Sequence, residues 1–342
     1  MGESAKDRAH VSPGDAMPQS RWTPLEIVKV TAAFLAEKGV ASARLDSEIL
    51  LCSVLGYGSR VELYANFERL ISEDELTAYR ALVKRRASRE PVSRILGERE
   101  FMGIRFAVSP EVFAPRPETE ILVEEAVRLL EGRVPPHKPD ASRASKAASR
   151  SDTPTGAAAM GEHHMCFSAE APYILDLGTG CGAIAVSVAV FCPRARVVAS
   201  DISAAALAIA RENAQAAGVA ERIEFRCGDL FAVCRSEERW DFILSNPPYL
   251  AIGDPTIEAE AKDYDPEIAL YGGEDGLAIQ RRIALEAKSW LNPGGWLLVE
   301  AAAGQATAVR ELFARGDLTD VRVLRDCAGR ERVICGRHPT GD

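Results

Sequence analysis

The chain has 342 residues, is 47% apolar and 27% charged, and carries a formal net charge of −9. That length allows two domains, the composition is that of an ordinary globular protein, and the acidic balance excludes a general electrostatic draw toward nucleic acid or an anionic membrane. The eight cysteines are scattered without a C-x-x-C pair, and the five histidines do not cluster with them. This argues against a metal site and fits the reducing conditions of a cytoplasm. No apolar run reaches transmembrane length.

Residues 1–20 are polar and lack the apolar core of a secretory signal, so they read as a disordered tail, with Met17 an alternative start. Residues 21–94 read as a small helical domain. Leu25, Val28, Ala32 and Leu35 share one helical face, and Gly39 ends that run. A second stripe is Leu45, Ile49 and Cys52. Ser72 and Glu75 are spaced as a capping box, opening a helix with Leu76, Tyr79 and Val83 inward. Lys84, Arg85, Arg86 and Arg89 close that helix. Cations there suit the helix dipole and point to water, or else form a docking patch for an acidic or RNA-bound partner.

Residues 95–114 alternate apolar and polar and predict a β-hairpin linker. Pro115-Arg116-Pro117-Glu118-Thr119-Glu120 follows and leads into a helix to about residue 131. The prolines hold an extended entry, and the acids suit a helix N-terminus; a role in a site is an equal alternative. Residues 132–170 lose all periodicity and read as a low-complexity insertion. His163, His164 and Cys166 within it make a weak metal motif.

From residue 171 to 338 the pattern is that of a doubly wound α/β domain, completing the 115–131 segment. A strand over Pro172–Asp176 runs into Gly178-Thr179-Gly180-Cys181-Gly182 and then into a helix. Alternating glycines let backbone approach a ligand closely, although one glycine loop is weak evidence alone. The next strand ends at Asp201, where a carboxylate can take two ribose hydroxyls. A third ends before Asp229, placed to accept from an adenine amine, with Leu230 to cover the ring. The fourth ends in Asn246-Pro247-Pro248-Tyr249. Two prolines stiffen this loop and remove two donors, Asn246 adds an acceptor, and Tyr249 offers a flat wall. Such a site suits a planar NH2 group, either an amide or an exocyclic base amine.

Taken together, P-R-P-E-T-E (115–120), D-L-G-T-G-C-G (176–182), Asp201, N-P-P-Y (246–249) and the closing hairpin around Val321–Arg337 resemble the HemK/PrmC family of class I S-adenosylmethionine-dependent methyltransferases. The resemblance covers residues 21–337 apart from the insertion. It implies a class I methyltransferase sheet with a small N-terminal helical domain joined by a β-hairpin. It also implies methyl transfer from S-adenosyl-L-methionine to the glutamine amide of the Gly-Gly-Gln motif in peptide-chain release factors. Gly178, Thr179, Gly180, Cys181, Gly182, Asp201, Asp229, Leu230 and Asn246 would hold cofactor. Asn246, Pro247, Pro248 and Tyr249 would hold the glutamine, with Asn246, Pro247 and Tyr249 acting in catalysis. Neither metal, membrane nor nucleic acid is required. The chain departs from the family at Cys181, often Thr, and at Leu230, which is Trp in some members. The competing readings are an amino-methyltransferase of a DNA or RNA base and a glutamine methyltransferase of a ribosomal protein.

Overall fold

The computed structural model describes residues 22–132, 171–254, 257 and 259–340, and these divide into two compact units at Leu96/Gly97. The expected tail, almost all of the insertion, and the histidine pair with Cys166 lie outside the described residues. None of the described helices is long and apolar enough to cross a membrane.

The first unit contains α1 (Pro24–Glu37), α2 (Ala43–Leu55), α3 (Arg60–Ala65), α4 (Glu73–Ala87) and α5 (Val92–Leu96). Its core joins Ile27, Val28, Leu50, Leu51, Leu63, Leu76 and Tyr79. The expected capping box is formed: Ser72 N–H donates to the Glu75 carboxylate at 2.9 Å, and Glu75 N–H donates to Ser72 Oγ at 3.3 Å.

Two helix faces differ from the expected phase. Leu25 and Leu45 are exposed, and Ala32 and Ile49 are half-buried, while α1 turns Ile27 and Thr31 inward. In α2 the buried face carries Asp46, Ser47 and Glu48. In α2 this phase follows two buried carboxylates, Asp46 and Glu48, each paired with arginine. Arg86 Nε donates to Asp46 Oδ2 at 2.7 Å, with both side chains buried. Glu48 accepts from Arg44 Nε and Arg60 Nη1, each at 3.1 Å. The basic cluster at the end of α4 is therefore split. Arg86 is an interior cation, Arg85 pairs with Glu90, and Lys84 is exposed.

The second unit opens with β1 (Glu98–Phe101) and β2 (Ile104–Ala107), an antiparallel pair, followed by a 3-10 turn at Pro117–Thr119 and α6 (Glu120–Glu131). The remaining elements are β3 (Tyr173–Leu177), α7 (Ala183–Phe191), β4 (Arg196–Asp201), α8 (Ala204–Ala216), β5 (Ile223–Cys227) and β6 (Trp240–Ser245). They continue with α9 (Ala259–Tyr264), α10 (Glu267–Leu270), α11 (Ala278–Trp290), β7 (Leu291–Glu300), α12 (Ala306–Arg315), β8 (Thr319–Arg325) and β9 (Glu331–Arg337).

Strands β3 to β9 form one sheet in the order β5-β4-β3-β6-β7-β9-β8, parallel from β5 through β7 and antiparallel at β9. This is the expected doubly wound arrangement. The chain builds outward from β3 through β4 to β5, then returns to the other side of β3 with β6. Ligands bind at such a switch point, outside the carboxyl ends of the strands.

Alternation along each strand divides two cores. Ile174, Phe242, Leu244, Trp296 and Leu298 pack with α6 and α7 residues such as Leu122 and Ile184. Leu175, Leu177, Ile243, Leu297 and Val299 pack with α11 and α12 residues such as Ile283 and Phe313. The hairpin β1–β2 is fastened to this second unit. Ala107 N–H donates to Asn213 Oδ1 at 2.7 Å, and Asn213 Nδ2 donates to Ala107 O at 3.0 Å and to Cys181 O at 2.8 Å. One buried asparagine on α8 therefore ties the hairpin to the glycine loop.

Candidate functional site

A cavity of about 620 Å³ opens along the carboxyl ends of β3 to β6. Its floor begins with the loop after β3. Gly178, Gly180 and Gly182 have φ of 72°, 56° and 86°. Three residues in the left-handed region within five positions explain the alternating glycines, because a side chain there would be strained. The loop is held from beneath. Thr179 Oγ1 donates to Asp176 Oδ2 at 2.6 Å, and Ala185 N–H donates to the same oxygen at 3.1 Å. Thr179 therefore presents backbone to the cavity and turns its hydroxyl inward. Asp176 is fully buried, and burial pushes its carboxyl up to about 7.

Asp201 lies at the end of β4 on the cavity wall. Its Oδ2 accepts from Gly180 N–H and its Oδ1 from Ser203 N–H, both at 2.9 Å. These bonds fix the carboxylate in place and leave further lone pairs on both oxygens. Burial raises its pKa. Ile202 follows it on the wall and is exposed. Gly228, Asp229 and Leu230 line the cavity from the end of β5. Asp229 is exposed, and both its oxygens accept from Arg282, at 3.1 and 2.8 Å. An adenine amine would have to share that carboxylate with a guanidinium. Cys181, within the loop, is buried and lines the cavity.

Asn246, Pro247, Pro248 and Tyr249 follow β6 and line the cavity across from Asp201's loop. Asn246 is half-buried, and its Nδ2 donates to Thr119 Oγ1 at 3.0 Å, bringing together residues 127 positions apart. P-R-P-E-T-E is thus a part of this wall as well as a helix entry. Arg116, Glu118 and Thr119 line the cavity. Arg116 also lies over the Phe113 ring at 5.2 Å. Tyr249 Oη is 3.4 Å from Glu300 Oε1. Burial, and then the neighbouring Glu300, push the Tyr249 hydroxyl well above its ordinary range, so the ring is a neutral wall.

Residues that pattern alone did not single out hold this loop. Tyr249 O accepts from Gln305 Nε2 at 2.9 Å. A Cβ on Gly272 would lie 2.4 Å from Pro248 O, and one on Gly276 would lie 2.5 Å from Tyr249 O. Both glycines let a second backbone segment lie against the loop. A glycine-rich stretch at 272–276, shortly after N-P-P-Y, was the available signal. Glu300 had none, because an acid ending an apolar strand is unremarkable until its neighbours are known. No cluster of metal-ligating side chains occurs among the described residues.

The arrangement can bind a nucleoside along β3 to β5 and offer a rigid acceptor and an aromatic wall to a planar group entering beside β6. Residues 26–97 match the family model of the PrmC N-terminal domain, and residues 161–260 match that of the methyltransferase small domain. The chain is 40% identical to the release factor glutamine methyltransferase of Geobacter sulfurreducens, over 92% of this chain and 97% of that one. It is 39% identical to the enzyme of the same name from Bordetella pertussis, over 88% and 97% of the two chains. For Chlorobaculum tepidum the figures are 38%, 91% and 96%.

Proposed function

The chain belongs to the release factor glutamine methyltransferases, and from that premise we propose that it methylates the side-chain amide nitrogen of the glutamine in the Gly-Gly-Gln motif of peptide-chain release factors, using S-adenosyl-L-methionine. The observation that carries this reading is the juxtaposition of two walls on one cavity. One is a glycine loop with a fixed carboxylate at Asp201, and the other is the N-P-P-Y loop pinned through Asn246 to Thr119.

The residues present fit the cofactor. Backbone with positive φ at Gly178 and Gly180 leaves room against the cavity, and the Asp201 oxygens retain lone pairs for ribose hydroxyls. S-adenosyl-L-methionine supplies a methyl group on a sulfonium. The protein's work is then to position the acceptor. A glutamine amide nitrogen is a poor nucleophile because its lone pair is delocalised into the carbonyl. Asn246 Oδ1 accepts one N–H of that amide, and a proline carbonyl of the loop accepts the other. Both orient the nitrogen and stabilise the positive charge that grows on it as the new N–C bond forms. Tyr249, kept neutral, packs against the amide plane. The proton leaves after transfer, so no strong base is needed beside the nitrogen.

The test is mass spectrometry of a release factor incubated with the protein and S-adenosyl-L-methionine. One added methyl group on the Gly-Gly-Gln peptide is the expected result. Transfer to a nucleic acid or ribosomal protein, with none to release factor, overturns it.

A further inference from the structure

The alternation of β7 places Glu300 on the same sheet face as Trp296 and Leu298, the face covered by α6. The parallel register pairs Ser245 with Val299, so the next residues, Asn246 and Glu300, leave neighbouring strands side by side. Thr119, immediately before α6, completes the group. Glu300 is fully buried and Thr119 nearly so. Asn246 Nδ2 donates to Thr119 Oγ1 at 3.0 Å, and Tyr249 Oη approaches Glu300 Oε1 at 3.4 Å. Thr119 also favours the ionised form of the Glu300 carboxyl. Glu300 Oε2 has no hydrogen-bond partner among the described residues. Its acceptor capacity is therefore in hand for the hydroxyl proton.

We propose that Glu300 is a positioning residue which, through Thr119, sets the polarity of the Asn246 amide. A carboxylate can only accept. With Thr119's one proton turned to the open Glu300 Oε2, Thr119 Oγ1 must accept from Asn246. The Asn246 NH2 is then turned into the protein, and Oδ1 is the atom left to receive an N–H from the acceptor amide. The opposite orientation would present two donors to a group that needs acceptors. Protonating Glu300 releases this constraint, because a carboxylic acid can donate to Thr119 and allow its proton to turn toward Asn246 Oδ1. The groups that bear on this carboxyl are Thr119 and Glu118 before α6, Tyr249 after β6, and Arg332 on β9.

The inference rests on the proposed methyl transfer, but one of its tests does not. The first uses Glu300→Gln, which keeps shape and can donate to Thr119, and Thr119→Val, which keeps volume and removes the hydroxyl. Thr119→Ser is the conservative control. Single-turnover methylation of release factor at saturating cofactor should fall about 10²-fold in the first two variants. Thr119→Ser should retain most of the rate, and KM for release factor should change little in all three. The wild-type rate should decline on the acid side as Glu300 protonates, and that limb should vanish in Glu300→Gln. Wild-type rates and pH profiles in Glu300→Gln and Thr119→Val overturn the relay. The second test reads the Asn246 side-chain NH2 by NMR in the protein alone, assigned by its loss in Asn246→Ala. Its proton shifts should move, and its solvent exchange should quicken, in Glu300→Gln and Thr119→Val but not in Thr119→Ser. An unchanged signal in both perturbed variants overturns the relay whatever the substrate is. A changed signal in a protein that fails to methylate release factor counts against the proposed function alone.

Discussion

Asn246 has work for both ends of its amide, and that makes its substitutions informative. Its NH2 is spent on Thr119 at 3.0 Å. Asn246→Asp keeps an acceptor yet loses that donor and places a second carboxyl near Glu300. It should therefore be nearly as poor as Asn246→Ala, with turnover down about 10²–10³-fold in each. Cofactor affinity should stay within about tenfold in both, since the glycine loop and Asp201 lie on the other wall. A fast Asn246→Asp enzyme would mean that negative charge alone suffices. Arg86 teaches a different lesson, about stability. Its guanidinium is interior and bonded to Asp46. Arg86→Glu would leave two unpaired buried acids and should destabilise the helical unit by about 3–5 kcal/mol, read as a lowered melting temperature. Lys84→Glu, on the exposed part of the same cluster, should leave the melting temperature nearly unchanged.

Loops gain their precision here from what packs against them. The N-P-P-Y loop is stiffened by its prolines, but its height above the sheet is set by Gly272, Gly276 and Gln305. Gly276 has φ of 69° and sits where a Cβ would come within 2.5 Å of Tyr249 O. Gly276→Ala should displace the loop and reduce turnover, while cofactor binding measured by calorimetry stays close to wild type. Equal loss of both would point to wider unfolding of the segment. The glycine loop obeys the same logic on its own wall. Asp201 takes Gly180 N–H and Ser203 N–H, so one carboxylate shapes the loop and lines the cavity. Asp201→Ala should weaken cofactor binding by about 1.5–3 kcal/mol, the range for hydrogen bonds to a charged group. Asp201→Asn separates the two duties, since it keeps an acceptor for one of the loop amides while losing charge toward ribose. Unchanged affinity in both variants would remove Asp201 from the cofactor site.

Across the second unit, two fully buried acids, Asp176 and Glu300, couple folding to pH. Burial raises Asp176 from 3.8 and Glu300 from 4.5, each to about 7. For an acid whose folded pKa is raised, the unfolded chain ionises first. The folded state is then favoured at low pH and loses ground between the unfolded and folded values. Stability should thus decline from about pH 4.5 to about pH 7 through Glu300, by about 1.4 kcal/mol for each unit of pKa shift. Glu300→Gln should flatten that part of the curve of melting temperature against pH. Parallel curves for the variant and wild type would show that the carboxyl does not titrate in this range. The carboxylate that Thr119 needs forms only as the folded value near 7 is passed, so rate should rise with pH around 7, where the loss of stability levels off.

Much of this protein could be read from local pattern. Strand, glycine loop and helix follow one another in sequence. Positive φ demands glycine at 178, 180 and 182, and the residues closing β4, β5 and β6 stand next to the strands that carry them. Such features are legible because neighbours along the chain dictate them. The capping box at Ser72 and Glu75 is local in the same way. The phase of α2 was not, because its burial depends on Arg86 and Arg60 arriving from other helices, and apolar periodicity then points Leu45 the wrong way. The same holds for the wall of the site. Thr119 meets Asn246 across 127 positions, and Glu300 meets Tyr249 across 51. An acid at the end of an apolar strand becomes a site residue through strand order, register and side-chain alternation acting together. Those are properties of the assembled sheet, since burial, not residue type, removes the water that would otherwise satisfy that carboxyl.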